Sequence, residues 1–385
     1  MLATSDPAVC GAVQADCSSL VAVTENSELG RYHGEWQRLA GLAAEPNVFM
    51  SWEWYMAWLH PSAHPGFPGV VKPYLLLRQS KQRIEAITPL VRFTSARFGF
   101  PVRKLQFATP HSDYNEIAVG SGAEAQAQAL ALFLKCNPRE WDVVDMRNVR
   151  ASRSLLEVIQ QALRRSRLPF TVQREVEGCP YLSIDGDANS VLEKRFSGDA
   201  RRTLRQRMQK ARVAGLRARI IEQPQNEEGL LQTLIGLEAK KMLRSPYPPL
   251  LGTYPQIFQQ LFQTLGPRGE LYVALLEQGA QAVAFQMGFR CKDKLWDYSK
   301  AFDRQFSRFA PGALLVAALL DYGFEKGYRE YDFLRGEEEY KSVWTKECHR
   351  SFRLLIWNRR LGSRIRKLGY YDLKAALFRL LGRGA

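Results

Sequence analysis

A chain of 385 residues that is 46% hydrophobic is too long for one typical domain and can bury two sizeable cores. Its formal charge of +15 is concentrated in two segments, 191–220 and 353–385, each with a net charge of +8. Six scattered cysteines without a CxxC pair argue against a disulfide framework or a zinc site, and no apolar run approaches the roughly 20 residues of a membrane span. We therefore expect a cytoplasmic protein without a secretion signal or a transmembrane helix.

The first half shows the patterns of an α/β unit. We predict a strand at 20–24, helices at 27–42 and 51–59, a hairpin of 74–77 with 86–93, a strand at 117–119, a helix at 123–135 and a strand at 141–147. In the aromatic helix 51–59, Trp54 and Trp58 lie one turn apart and fit either a core-facing stripe or the wall of a substrate groove. The loop residues Asp113, Tyr114 and Asn115 fit either an acceptor groove or capped turns.

The second half repeats this order. It predicts a hairpin of 271–276 with 282–289, a strand at 294–301, a helix at 312–326 and a strand at 331–334. An internal duplication explains the repeat economically. We therefore predict an α/β (α+β) fold of two tandem domains, each with a mixed central sheet flanked by helices. Their predicted bounds are 19–175 and 176–352, followed by a basic amphipathic tail at 353–385.

Two segments of the second half suggest binding or chemistry. The helix entry Arg308-Phe309-Ala310-Pro311-Gly312-Ala313-Leu314 offers unpaired first-turn amides and a cation, which suit an anion, although Pro-Gly before a helix is also common in purely structural turns. The strand at 331–334 runs directly into Arg335, Gly336, three glutamates, Tyr340 and Lys341. Such groups resist burial unless paired, so the segment fits either a reactive site or structural ion pairs that close the sheet.

A family resemblance rests on these motifs together. The patterns Asp332-X-X-Arg335-Gly336-X-Glu338-X-Tyr340-Lys341-X-X-Trp344, Arg308-X-X-Pro311-Gly312 and Trp54-X-X-X-Trp58, with Pro89-Leu90 and Ser112-Asp113-Tyr114-Asn115, resemble the CelD/BcsL type of GNAT acetyltransferase, which is associated with cellulose and other exopolysaccharides. FemABX transferases, which also join two GNAT units, are the relatives in architecture. The entry motif departs from the usual GNAT phosphate loop because it has one glycine and a proline, which leaves aminoacyl-tRNA open as donor.

The resemblance implies a site in the second half. It places acetyl-CoA as co-substrate, without a metal, on Arg308, Pro311, Gly312, Ala313 and Leu314. Asp332 or Glu338 would act as the base, Lys341 as a donor to the oxyanion or to an acidic acceptor, and Tyr340 as the acid. The acceptor would lie against a set of side chains from both halves, namely Arg335, Asp113, Tyr114, Asn115, Trp54 and Trp58.

The expected function is therefore acyl transfer in exopolysaccharide (cellulose-like) or cell-envelope biosynthesis. A FemABX-like aminoacyltransferase and a catalytically silent subunit of a polysaccharide synthase complex are the alternatives. We expect a small-molecule or saccharide acceptor and no nucleic-acid partner, since the basic stretch 194–219 lacks interleaved aromatics. The tail fits either docking on its own protein or peripheral contact with the inner membrane.

Overall fold

Two sheets of seven strands, each flanked by helices, form the protein in a computed structural model. The structure describes residues 20–43, 45–67, 69–80, 83–97, 100–120, 122–241, 248–336, 338–360 and 362–363. The predicted fold class, an α/β protein with mixed sheets and flanking helices, is confirmed. The elements of the first half are β1 (Leu20–Val23), α1 (Asn26–Leu29), α2 (His33–Gly41), α3 (Trp52–Leu59), β2 (Gly69–Ser80), β3 (Arg83–Arg97), β4 (Phe100–Phe107), α4 (Ala123–Cys136), β5 (Val143–Val149), α5 (Arg153–Arg165) and β6 (Phe170–Arg174).

The second half begins with β7 (Cys179–Ser183) and the helices α6 (Ala188–Arg195) and α7 (Gly198–Val213). It continues with β8 (Leu216–Ile221), α8 (Leu230–Lys241), α9 (Leu250–Thr253), α10 (Pro255–Leu265), β9 (Leu271–Gln278), β10 (Gln281–Cys291), β11 (Lys294–Phe302), α11 (Pro311–Glu325), β12 (Glu330–Asp332), α12 (Glu339–Trp344) and β13 (Cys348–His349). The last strand described is β14 (Phe352–Trp357). The basic stretch is thus two helices and a strand, because Ser197 caps α7 and breaks the helix there.

The internal repeat is visible in both sheets. In each half an antiparallel hairpin leads to a strand, a helix and a strand that runs parallel to the one before the helix: β4 with β5, and β11 with β12. The first-half strand at this position is β4, which the sequence did not predict. The predicted strand 117–119 is wrong, since only Val119 bridges to the sheet, at Ile87.

The chain crosses between the sheets twice. The first sheet has the order β1-β2-β3-β4-β5-β14-β6, and the second has the order β13-β7-β12-β11-β10-β9-β8. Strand β14, which follows the whole second half, pairs with β5 on one side and β6 on the other. The segment 353–385, predicted to be a tail, therefore begins with strand residues that complete the first sheet. Most of it, from 364 onward, lies outside the described residues, and the domain bounds stay predictions.

An aromatic core joins the halves. Phe49 stacks on Trp296 with ring centroids 5.3 Å apart, and Trp54 meets the ring of Phe289 edge-on at 5.8 Å. Such pairs add specific geometry to a large apolar burial. Among the described cysteines only Cys136 is disulfide-bonded, and one such bond is not the framework that the scattered cysteines argue against. None of the described helices is long and apolar enough to cross a membrane.

Candidate functional site

The second sheet opens between two of its central strands. Strand β11 pairs with β12 only from Lys294 to Trp296 and then continues alone on this side to Phe302. The unpaired edge of β11 presents backbone N–H and C=O groups to the gap. Two cavities flank this part of β11.

The first cavity, which we call the apolar cleft, has a volume of about 720 Å³. The end of β11, the start of α11, and the helices α7 and α12 form its walls, with Ala301, Pro311, Gly312, Leu204 and Trp344 among the lining residues. Most of the lining is apolar. Sites for small molecules and cofactors commonly have this character, with a few convergent polar groups.

The second cavity, which we call the charged chamber, is smaller, at about 210 Å³. Side chains from both halves line it, since Asp113 comes from the first half and Asp297, Arg335 and Glu338 come from the second. Three residues, Lys300, Glu338 and Tyr340, line both cavities. The two cavities therefore meet at these three side chains.

Tyr340 has an unusual environment at this junction. Its hydroxyl is buried and has no hydrogen-bond partner among the described residues. Burial, followed by the nearby carboxylates of Asp297 and Glu338, raises the pKa of the Tyr340 phenol well above its usual value. The phenol is therefore protonated at neutral pH and holds a proton that is not engaged elsewhere.

Glu338 differs from the other acids of the site because its side chain is 58% exposed. Burial pushes its pKa up, but the ammonium of Lys341 at 2.8 Å outweighs this, and the pKa of Glu338 is held below its usual range. Glu338 is therefore ionised at neutral pH and accessible from both cavities.

Lys341 is fully engaged. Its side chain is 3% exposed, and Nζ donates to the carbonyls of Leu334 (3.1 Å) and Arg335 (2.9 Å) besides its ion pair with Glu338. These three acceptors match the three N–H groups of an ammonium. Leu334 adopts a left-handed backbone conformation with φ of 55°, so Lys341 holds a strained turn. This arrangement gives Lys341 a positioning role and leaves no N–H for the predicted oxyanion.

Asp332 lies in the interior and lines neither cavity. It is 1% exposed, and its two oxygens accept hydrogen bonds from the Tyr114 hydroxyl (2.6 Å) and the Leu334 amide (2.8 Å). Burial raises the pKa of Asp332 to about 7, against the lowering effect of the Tyr114 hydrogen bond. The bond from Tyr114 joins the two halves of the protein. The geometry thus gives Asp332 and Tyr114 a structural role, in place of the predicted base and acceptor contact.

Arg335 and Asp113 meet across the halves in the wall of the charged chamber, with Arg335 Nε 3.4 Å from Asp113 Oδ1. Burial raises the pKa of Asp113, and the Arg335 guanidinium opposes this shift. Of the predicted acceptor residues, these two are therefore placed where an acceptor could touch them.

The remaining predicted acceptor residues belong to the core. Trp54 and Trp58 are each 1% exposed, and Trp54 Nε1 donates to Ser112 at 2.9 Å. Asn115 donates through its side chain to the Arg147 carbonyl at 2.9 Å, which pins its loop to β5. The interpretation of the tryptophan pair as a core-facing stripe agrees with this packing.

The predicted anion loop is only partly in the apolar cleft. Pro311, Gly312 and Ala313 line the cleft, whereas Leu314 faces a different groove and Arg308 is exposed outside the lining. A cation from another element, Arg207 of the basic helix α7, lines the cleft instead.

Sequence reasoning missed Lys300 and Asp297, which form an ion pair on β11. The signal was present, because charged residues on the central strand of a covered sheet are rare without a purpose. The prediction of a strand at 294–301 assigned no role to these two charged side chains.

One further group, Glu330, Asp332 and His349, brings three possible metal ligands within 4.8 Å. The Lys294 ammonium, 3.4 Å from Glu330, already supplies a positive charge there. Both oxygens of Asp332 are also hydrogen-bonded. The contacts are those of a charge network between strands, and we assign no metal to it.

Comparison with known proteins agrees with this geometry. Residues 198–342 match the family model of an acetyltransferase (GNAT) domain. No curated protein matches the chain in sequence. Among solved structures, FemX is similar at a TM-score of 0.59 and 11% identity, covering 91% of this chain and 99% of its own. A conserved protein of unknown function from Bacteroides thetaiotaomicron is similar at 0.56 and 11%, covering 88% and 100%.

These two likenesses show the fold over nearly the whole chain. The family match runs from the start of α7 into α12 and includes the three residues shared by the cavities and most of the lining of each cavity. Residues 198–342 of this chain are therefore similar to a GNAT acetyltransferase domain, within a two-sheet fold like that of FemX.

Proposed function

We propose that the protein is an acyltransferase that uses acetyl-CoA in the apolar cleft and an acceptor in the charged chamber. The observation that carries the proposal is the meeting of the two cavities at Lys300, Glu338 and Tyr340, where a buried phenol has no partner. A reaction between two bound substrates needs such a junction, because the reacting atoms must come within about 3 Å of each other.

The apolar cleft suits a thioester donor of this kind. The unpaired edge of β11 offers hydrogen bonds to an extended amide-containing arm, in the manner of an added strand. The first turn of α11 supports an anion through its helix dipole, and Arg207 adds a charge from α7. Bound acetyl-CoA would supply an acyl group already activated as a thioester.

The roles of the chain's own groups follow from their protonation. Glu338, ionised and accessible, takes the proton from the attacking acceptor group. Tyr340 Oη holds its proton at neutral pH and gives it to the departing sulfur. Lys341 fixes the turn at Leu334 and Arg335, and Arg335 lines the chamber to orient the acceptor.

The biological setting proposed here is exopolysaccharide or cell-envelope assembly, with a small-molecule or saccharide acceptor and contact with a polysaccharide synthase. The motif resemblance to CelD/BcsL proteins supports it. A FemABX-like aminoacyltransferase is the second candidate, favoured by the fold similarity to FemX. Contact of the tail with the inner membrane belongs to the same proposal and concerns residues outside those described.

Ligand binding tests the donor first. We expect acetyl-CoA and CoA to raise the melting temperature in a concentration-dependent manner, since a ligand that binds only the folded state stabilises it. A series of longer acyl-CoAs would define the acyl length. If none of these thioesters raised the melting temperature and the protein transferred an aminoacyl group from an aminoacyl-tRNA, the donor would be aminoacyl-tRNA and not acetyl-CoA.

A further inference from the structure

Strand β11 carries an irregularity at the junction of the two cavities. In the pairing of β10 with β11, Met287 faces Ser299 and Gly288 faces Asp297, so Tyr298 is an extra residue without a counterpart. This is a β-bulge, a feature that re-aims side chains and is common beside active sites.

The bulge places two charged residues on the same face. In a regular strand, residues three positions apart point to opposite faces of the sheet. Asp297 and Lys300 are three apart, yet Lys300 Nζ contacts Asp297 Oδ2 in a close ion pair. Gln286 of β10 donates to the same oxygen at 3.3 Å and fixes the carboxylate.

The opposite strand is built to accept the bulge. A Cβ atom on Gly288 would lie 1.9 Å from the Trp296 carbonyl oxygen and 2.6 Å from the Tyr272 hydroxyl. No side chain fits at this position. The bulge therefore depends on a glycine opposite Asp297.

The Lys300 ammonium lies over the ring of Tyr340, 4.2 Å from its centroid. The Lys300 side chain is 25% exposed and opens into both cavities, whereas its partner Asp297 is fully covered. An ion pair that served only to stabilise the sheet would not need to open into either cavity. A cation over an aromatic ring is attracted to it, and more strongly once a phenol has lost its proton.

We propose that Lys300, held by Asp297 at the bulge, is a positioning residue that stabilises the Tyr340 phenolate formed when Tyr340 Oη gives up its proton. This role rests on the proposed acyl transfer. The proton leaves Tyr340 Oη for the departing sulfur, and solvent returns a proton to the phenolate. The negative charge exists only between these two steps, and a fixed cation above the ring lowers its free energy.

Other charges near Tyr340 act in the opposite direction or are committed elsewhere. The carboxylates of Asp297 and Glu338 disfavour the phenolate, and the Lys341 ammonium is bound to Glu338 and two carbonyls. Burial lowers the pKa of Lys300 and the nearby Lys341 adds to this shift, whereas the close ion pair with Asp297 opposes it and favours the charged ammonium. Tyr331 on β12 is buried and neutral, and Arg207 on α7 lines the apolar cleft. The charged chamber is also lined by Asp113, Glu238 and Arg335.

Two variants at one position test the role. Lys300→Met removes the charge and keeps the length of the side chain, and Lys300→Arg keeps the charge. With acetyl-CoA as the probe and thiol release as the assay, we expect Lys300→Met to lower kcat about tenfold with little change in KM, as fits the loss of one cation–π contact. We expect Lys300→Arg to retain most of the rate and Asp297→Asn to lie between the two.

A second readout does not depend on turnover. With a difluorotyrosine at position 340, whose phenol is more acidic, the absorbance of the phenolate reports its pKa directly. We expect this pKa to rise by about one unit in Lys300→Met and to stay near the wild-type value in Lys300→Arg. An unchanged pKa in Lys300→Met would overturn the inference, even where the rate falls. A shifted pKa in a protein that never releases thiol from any acyl-CoA would instead overturn the proposed function and leave the Lys300–Tyr340 interaction standing.

Discussion

At the level of single residues, several buried tyrosines have hydroxyl groups that make no hydrogen bond within the described part of the chain. Among the described residues, the hydroxyls of Tyr74, Tyr331 and Tyr340 are buried without a hydrogen-bond partner. An unpaired buried hydroxyl lowers stability, so each one calls for a reason. Of these three, only Tyr340 lines the apolar cleft and the charged chamber, and its proposed role as the acid would account for the unpaired hydroxyl.

Tyr340→Phe should separate chemistry from folding. Because the hydroxyl makes no hydrogen bond, we expect an unchanged or slightly higher melting temperature. Because the variant lacks the acid, we expect the rate of thiol release from acetyl-CoA to fall about 100-fold. Tyr74→Phe, which removes an equivalent hydroxyl in the first half, should leave the rate unaffected. Equal rates in the wild type and Tyr340→Phe would exclude Tyr340 as the acid.

Among the elements, β11 does most to position the site, and its bulge depends on the shape of β10. At Gly288 a methyl group would collide with backbone and with a buried phenol that cannot move away. Gly236, in the middle of α8, has nothing within 4 Å of the same virtual atom. Substitution of glycine by alanine is therefore expected to have opposite effects on stability at these two positions.

Gly288→Ala should destabilise the protein by about 2 kcal/mol or more, since overpacking a filled site costs about 1–3 kcal/mol. Gly236→Ala should stabilise it by about 0.5–1 kcal/mol, because alanine favours the helix. Denaturant unfolding monitored by tryptophan fluorescence measures both. A Gly288→Ala variant as stable as the wild type would mean that β10 and β11 can pair without the bulge.

The elements also show how far the sequence alone leads. Alternation in 271–302 and the apolar helix that follows predict β9, β10, β11 and α11, because local pattern decides those elements. The pattern does not reveal the bulge at Tyr298, since a register shift depends on the strand opposite. Strand β14 was assigned to the tail because its partners, β5 and β6, lie about 200 residues earlier in the chain.

In the site, too, the local motif could be predicted from the sequence, whereas contacts that depend on the folded backbone or on distant residues could not. Tyr340 and Glu338 were predicted from their motif, and the structure places both at the junction. The saturation of Lys341 was not predictable, because its acceptors are backbone carbonyls exposed by a left-handed turn. The burial of Asp332 likewise depends on Tyr114, a residue of the other half.

At the scale of the whole molecule, the burial of Asp332 makes the stability of the protein sensitive to pH, and the hydrogen bond from Tyr114 of the other half opposes this effect in part. The pKa of Asp332 is about 7 in the folded protein, against an ordinary value of 3.8. Between these values the folded protein keeps a proton that the unfolded chain releases. The free energy of unfolding therefore decreases as pH rises from about 4 to about 7 through this group.

Asp332→Asn should remove this contribution, because the amide does not titrate and can still accept from the Leu334 amide. We expect the variant to lose less stability than the wild type between pH 4 and pH 7, as measured by denaturant unfolding across that range. As a control, Asp145→Asn replaces a buried aspartate whose pKa is lowered by Arg353 and Lys104 against the effect of burial. It should keep the wild-type slope in this window, and an identical slope in all three proteins would refute the assignment to Asp332.

Because β14 separates β5 from β6, the order in which the chain is synthesised matters for folding. When residue 174 has been synthesised, all strands of the first sheet except β14 are present. Strand β6 nevertheless has no neighbour in that sheet until β14 is complete at residue 357. The first sheet therefore cannot be completed before the second half is translated. The strands of the second sheet, β7 to β13, can all pair with one another once β13 has been synthesised. An N-terminal fragment would consequently expose the edge of β5, a hazard for aggregation during synthesis.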